Sequence, residues 1–154
     1  MNQPQHTVHT APATDSGRPD LHALVADSRT DGSKVWLADP GEHHHDLAAH
    51  VDRHAPGVDA TLAMLQDAND LIRERQDAAF AAGLHQAEPA VRVLLTDLPA
   101  ALQQPETAEL IERILRTGRK AGVLETAIEE EGTNAFRGHP HLRPWFTAAR
   151  AAGC

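Results

Sequence analysis

Apolar residues in this chain occur either in short continuous runs or at helical spacing over longer stretches. Short runs of Val and Leu are typical of strands buried on both faces, and the wider spacing is typical of amphipathic helices. The clearest run predicts a buried strand from Val91 to Asp97. The clearest helical pattern extends from Val58 to about Ala82, and Gly83 is its expected end. Alternating strands and helices predict an α/β fold with a parallel, doubly wound sheet.

The remaining segments continue this alternation. Strands are predicted at 6–10, 34–38 and about 122–128, and helices at 20–27, from Pro105 to near Gly118, and at 145–151. A polar, histidine-rich loop with room for a short helix separates the second strand from the long helix. We therefore expect an N-terminal tail (1–5), an α/β core (6–128) and a loop-rich C-terminal tail (129–154).

Composition narrows the functional classes. The chain has 154 residues, which fits one domain, and its 14 Lys and Arg against 22 Asp and Glu give a net charge of −8. This balance provides no overall basic surface for nucleic acid, so DNA contact would need a local patch or an assembly. The single cysteine, Cys154, excludes a disulfide framework within the chain and a cysteine-based zinc site. Without a long apolar stretch or an N-terminal signal region, we expect a cytoplasmic protein with no membrane insertion.

Asp97 ends the predicted buried strand, and the next helix ends in the turn Gly118-Arg119-Lys120-Ala121-Gly122. This order resembles the Walker B region of the FtsK/SpoIIIE family of DNA-translocating P-loop ATPases, which includes TraB-type plasmid-transfer proteins and EccC secretion ATPases. The Trp36-Leu37-Ala38-Asp39-Pro40 strand end and the helix carrying Arg73 and Arg75 extend the resemblance. It implies a RecA-like P-loop sheet flanked by helices and incomplete at its C-terminal end. The family role would be ATP-driven DNA translocation in chromosome segregation or plasmid transfer.

The resemblance places a P-loop at residues 12–19, where the sequence departs from the working pattern G-x-x-x-x-G-K-[ST]. The aligned residues are Pro12-Ala13-Thr14-Asp15-Ser16-Gly17-Arg18-Pro19. Arg18 keeps a positive charge but is a forked guanidinium rather than a compact ammonium group, and Pro19 offers no hydroxyl to Mg²⁺. If ATP and Mg²⁺ bind, as the resemblance implies, Ser16, Gly17 and Arg18 would contact the nucleotide and Asp97 would meet the metal.

Leu98 occupies the position of the glutamate that activates the attacking water in the family. Leucine cannot accept a proton, and loss of a general base costs a factor of about 10² to 10⁴ in rate. The polar sensor position after the next strand falls near Glu129 or Glu130. We therefore expect a degenerate homologue that does not hydrolyse ATP and acts by association with related ATPase subunits or with itself. An equally good interpretation of Asp97 is a turn residue that ends its strand.

Two further groups of residues have competing interpretations. Arg116, Arg119 and Lys120, with Arg113, either contact a neighbouring subunit or DNA, or form a solvated face with Glu109–Arg113 and Glu112–Arg116 pairs. His43, His45, His50 and His54 are weak candidates for Zn²⁺ or Ni²⁺ ligands, with a helix aligning the last two. A general excess of histidine, 11 residues in all, explains that cluster more simply. The alternative functions are thus a nucleotide-independent adaptor domain and, third, a metal-binding protein.

Overall fold

The computed structural model describes residues 5–11, 20–82 and 89–148. In this part of the chain six strands form one sheet in the order β3-β2-β4-β5-β1-β6, and every neighbouring pair is parallel. The strands are β1 (Thr7–Ala11), β2 (Lys34–Asp39), β3 (Arg53–Pro56), β4 (Val91–Leu95), β5 (Val123–Glu130) and β6 (Thr147–Ala148). The prediction of a parallel α/β sheet is confirmed.

Helices cover both faces of the sheet. They are α1 (His22–Thr30), α2 (Val58–Ala82), α3 (Leu98–Ala101) and α4 (Pro105–Thr117), with 3-10 helices at His45–His50, Arg119–Ala121 and Pro140–Trp145. The α1 side has a small core in which Val25 packs with Leu37 and Leu94. The α2 and α4 side has the main core, which includes Leu65 and Ile114. Burial on both faces explains why the central strands are continuously apolar.

The long helix has its predicted limits, whereas two edge elements differ from the sequence prediction. β3 is not predicted, because only Ala55 among its four residues is buried. Its Pro56 cannot donate to a neighbouring strand, which an edge position tolerates. Thr147–Ala148 forms a short strand beside β1, where a helix is predicted over 145–151. Both errors have the same cause, since edge strands lack the apolar alternation of buried ones.

The connections after β2 and β4 leave these neighbouring strands in opposite directions. The chain passes from β2 outward to β3, whereas it passes from β4 through α4 toward β5 on the other side. In open α/β sheets, ligands bind at the carboxyl ends of strands where the connections diverge in this way. The residues that follow β2 and β4 therefore form the candidate functional site.

The glycine-bounded turn after α4 is fixed by close packing and by one arginine from α2. A Cβ on Gly118 would overlap the carbonyl oxygens of Ile114 and Val123, so only glycine fits there. Arg75 donates from Nη1 to the Ala121 carbonyl at 2.9 Å and from Nη2 to the Pro89 carbonyl at 2.8 Å. Arg75 thus ties this turn to the residues that precede β4. The most specific piece of the family resemblance is held together by structural contacts.

Candidate functional site

The carboxyl ends of β2, β3 and β4 bring together a group of carboxylates and imidazoles, here named the strand-end cluster. It consists of Asp39, Gly41, His43, His54 and Asp97. β3 and β4 both pair with β2, which explains why residues distant in sequence meet beside Asp39. The pairing of His54 with Asp39 depends on β3 and could not be read from local sequence.

Asp39 is fully buried and organises the loop that follows β2. Its Oδ1 accepts the His43 amide at 2.9 Å, and its Oδ2 accepts the His44 amide at 3.0 Å. Oδ2 also bonds to Nε2 of His54 at 2.9 Å. Burial alone would raise the pKa of Asp39, but the His54 ring and the two amides outweigh it and lower that pKa below its ordinary value. Asp39 is therefore a buried, fully partnered carboxylate.

His54 is oriented by this carboxylate and packs against a second imidazole. Its side chain is only 10% exposed, and the His45 ring meets it edge-on with centroids 5.4 Å apart. When Nε2 donates to Asp39, Nδ1 carries the lone pair, so the ring is held in one tautomer. A carboxylate–imidazole pair of this kind can hold or transfer a proton at Nδ1.

Asp97 joins the cluster from the end of β4. A Cβ on Gly41 would lie 2.6 Å from Oδ2 of Asp97 and 2.8 Å from the His43 ring, so Asp97 and His43 both pack against Gly41. The Asp97 carboxylate is therefore directed to the connection that follows β2. Among the described residues, Asp97 (φ 45°) and Glu42 (φ 56°) are the only non-glycine residues with positive φ; Asp97 belongs to this cluster and Glu42 lies between two of its members in sequence. Such conformations cost free energy and concentrate at functional sites.

Leu98 follows Asp97 and points into the protein. Its side chain is 1% exposed and belongs to the main core, where it also begins the short helix α3. The position that would hold a general base in the family is thus occupied by a core residue. Glu129, near the predicted sensor position, pairs with Arg143 and accepts the Ala135 amide at 2.9 Å. It secures the turn after β5.

The nucleotide-contacting residues predicted at Ser16, Gly17 and Arg18 lie outside the described residues. β1, which leads into that segment, is separated from β3 by β2, β4 and β5. At a strand spacing of about 4.8 Å, His54 is roughly 19 Å across the sheet from β1. It is too distant to act on a phosphate bound immediately after β1. His54 therefore does not replace the glutamate that the family resemblance leads us to expect at the position of Leu98.

The four histidines proposed as metal ligands divide between two places. His43 and His54 belong to the strand-end cluster and His45 touches it, whereas His50 packs against the His22 ring, 5.7 Å away. His50 ends a 3-10 helix and His54 is on β3, so the helical alignment predicted for them is wrong. Within the residues that the structure describes, no group of three or more His, Cys, Asp or Glu could hold a metal ion.

The basic residues of α4 and of the turn after it lie at the amino ends of the strands, opposite the strand-end cluster. α4 runs antiparallel to the strands, so Arg116, Arg119 and Lys120 lie near the amino end of β5. Both ion pairs anticipated on this helix are present, Glu109–Arg113 at 3.0 Å and Glu112–Arg116 at 2.8 Å. These pairs are exposed, and such pairs stabilise a fold only slightly.

Two buried titratable residues were not identified from the sequence as functional. Glu125 is in the middle of β5 and fully buried, and His6 precedes β1 and is 5% exposed. A glutamate inside the apolar run Val123–Ile128 was the available signal for Glu125. Nothing local distinguished His6 from the other histidines of the chain.

No family model and no curated protein sequence matches the chain. The cytoplasmic domain of the type VII secretion ATPase EccC of Thermomonospora curvata superposes on 78% of this chain with a TM-score of 0.51 at 18% identity. A structure described as an ATPase covers 90% of the chain with a TM-score of 0.49 at 17% identity. The matched regions are 17% and 50% of those two proteins. No helix in the described ranges has the length and apolarity of a membrane span. The EccC likeness shows the fold, which is an α/β fold of the RecA-like ATPase type.

Proposed function

We propose that this chain is a degenerate ATPase-fold domain of the FtsK/SpoIIIE type, which does not hydrolyse ATP and acts in the cytoplasm by association with related ATPase subunits. The observation that carries the proposal is Leu98, buried in the main core directly after Asp97. A buried leucine can neither accept a proton from water nor turn outward without emptying its core position. The fold likeness to a secretion ATPase supports assembly with related subunits.

The geometry of Asp97 agrees with this degeneracy. In a working site of this fold the carboxylate would help hold Mg²⁺ beside the phosphates. Here Oδ2 is directed to Gly41 and the His43 ring, in the connection after β2. A carboxylate packed in this way can serve a structural role alone, which supports the second candidate function, a nucleotide-independent adaptor domain.

Hydrolysis is tested by phosphate release with millimolar ATP and Mg²⁺, with Asp97→Asn as the matched control. We expect no release above background in either protein. Release that disappears in the Asp97→Asn variant would overturn the proposal, because the activity would then depend on this carboxylate.

Calorimetry with ATP and Mg²⁺ separates the two candidate functions, since the adaptor function predicts no binding heat.

Association is tested with an intact ATPase of the FtsK/SpoIIIE type from the same genome. We expect the two proteins to co-sediment, and the ATPase rate of the intact protein to change at stoichiometric amounts of this chain. DNA contact through Arg116, Arg119 and Lys120 belongs to the same proposal and is expected only in that assembly. An unchanged rate together with separate sedimentation contradicts the proposal.

A further inference from the structure

Glu125 is a carboxyl group with no partner inside the protein. Its side chain is fully buried, and neither Oε1 nor Oε2 has a hydrogen-bond partner among the described residues. Alternation along β5 places it between Val123 and Ala127, on the face that α2 and α4 cover. An ionised carboxylate in such surroundings would lose its hydration without compensation. The folded protein therefore requires Glu125 to be uncharged.

His6 lies beside Glu125 and holds the beginning of β1 on two sides. Its Nδ1 accepts the Glu125 amide at 2.9 Å, and its carbonyl accepts the Thr147 amide at 2.8 Å. Its ring also meets Phe146 edge-on, with centroids 6.3 Å apart. Because Nδ1 must accept a hydrogen bond, the ring must be neutral. Protonation of Nδ1 would remove the bond to β5 and place a charge in the core.

The other charged groups around this pair are engaged elsewhere. Arg92 on β4 lies on the opposite face and donates to Thr126 at 2.8 Å. Nε2 of His6 makes no well-aligned hydrogen bond among the described residues. The nearby Leu115 carbonyl nevertheless favours the protonated ring and so opposes part of the lowering of the His6 pKa. Of the other charges on these elements, Arg75 on α2 donates to the Ala121 and Pro89 carbonyls, and Glu130 is exposed at the end of β5. The pairs Glu109–Arg113, Glu112–Arg116 and Glu129–Arg143 are each made of opposite charges, and Arg119 and Lys120 lie in the turn after α4.

We propose that Glu125 and His6 form a latch that holds β1 in the sheet while both side chains are uncharged and releases β1 when either one ionises. β1 lies between β5 and β6 and leads into residues 12–19. Release of β1 would therefore also free β6, which pairs with β1. The latch requires neither nucleotide nor a partner, so it stands apart from the proposed function.

The stability of the closed latch, with β1 in the sheet, depends on pH because Glu125 and His6 both change protonation when β1 is released. Burial raises the pKa of Glu125 well above its ordinary value of 4.5. Burial, with repulsion from Arg92 and Arg119, lowers the pKa of His6 from 6.5 to about 4. Above pH 6.5 the imidazole is neutral in both states, so the remaining pH dependence comes from Glu125: the state with β1 in the sheet loses stability as pH rises toward the raised pKa of Glu125. Between 4.5 and 6.5 the two effects cancel, because closing moves one proton from imidazole to carboxyl.

Hydrogen exchange by NMR on the full chain tests the latch. The measured quantity is the exchange rate of β1 amides divided by that of β4 amides in the same sample, which removes the intrinsic pH dependence of exchange. We expect a constant ratio from pH 4.5 to 6.5, and then an increase of about tenfold per pH unit up to the pKa of Glu125.

Two variants make the test specific. Glu125→Gln, which mimics the neutral acid, should keep the ratio constant above pH 6.5. His6→Asn keeps an acceptor but cannot be protonated, so the increase should begin near pH 4.5. Glu130→Gln, at the exposed end of β5, should behave as the native chain.

Three results would overturn the latch. The first is a Glu125 carboxyl ¹³C shift that titrates together with those of the exposed glutamates. The second is a Glu125→Gln profile identical to that of the native chain. The third is parallel acceleration of β1 and β4 amides, because the whole sheet would then open rather than β1 alone.

Discussion

Asp39 and Glu125 are both buried carboxyl groups on strands of one sheet, yet their surroundings have opposite effects. Asp39 accepts hydrogen bonds from two amides and from the His54 ring, and its pKa is lowered. Glu125 has no partner among the described residues, and its pKa is raised. Burial penalises the charge in both cases, so the donors decide the outcome. A loop can bend its amides toward a strand end, whereas the middle of a strand has already used its amides in the sheet.

The largest effect is expected from removal of Asp39. Asp39→Ala would leave the His43 and His44 amides and the His54 ring without their acceptor. Each buried donor left without its acceptor costs about 1–3 kcal/mol, so we expect the free energy of unfolding to fall by about 3 kcal/mol or more. Urea denaturation at neutral pH measures it. Asp46→Ala is the control, because that side chain is 62% exposed and should change stability little.

Acid titration tests whether the charge of Asp39 is what stabilises the fold. A carboxyl group whose pKa is lowered from 3.8 by folding contributes stability that is fully present above that pH. The contribution is lost as pH falls through the folded pKa. The stability difference between the native chain and Asp39→Asn should therefore be constant near neutrality and shrink below pH 3.8. A difference that persists unchanged at lower pH would mean that charge is not what Asp39 contributes.

Replacement of Glu125 is expected to raise the free energy of unfolding, the opposite of the effect at Asp39. Glu125→Met replaces an unpartnered buried carboxyl with an apolar chain of similar length, which removes a desolvation penalty of about 1–3 kcal/mol. The variant should unfold at a higher urea concentration at pH 7.5 than the native chain. Glu129→Met is the contrasting variant, because it removes the partner of Arg143 and should destabilise. A destabilised Glu125→Met protein would show that Glu125 has a partner that stabilises the fold.

A smaller effect is expected from closing the space at Gly41. The Cβ of Gly41→Ala would press on Oδ2 of Asp97 and on the His43 ring. Both residues are exposed and their side chains can move, so the cost should be about 1 kcal/mol or less. The diagnostic change is a shift of the Asp97 and His43 NMR signals without a shift at His54. If the His54 signals also move, the cluster is more tightly coupled than its hydrogen bonds indicate.

The same contrast explains how much the sequence could predict. α2 has its predicted limits because long amphipathic spacing is a local signal, and β4 is recognisable from its apolar run. Asp39 and Asp97 were identifiable as strand-end carboxylates. The His54–Asp39 bond was not, because it depends on an edge strand with a single buried residue. The Glu125–His6 contact joins residues 119 positions apart, and no local pattern encodes such a pairing.

The smallest effect is expected on α4, near the amino ends of the strands, where the charges are exposed and paired. Arg116→Gln should change stability by less than about 0.5 kcal/mol, because exposed helix pairs contribute little.

DNA binding is the second measurement on this surface. If the surface contacts DNA only within an assembly, the isolated chain should not bind a labelled duplex at physiological salt in an anisotropy titration. Glu109→Gln with Glu112→Gln releases Arg113 and Arg116 from their partners and should produce weak, salt-sensitive binding. Tight binding by the native chain would instead mean that Glu109 and Glu112 do not mask this surface.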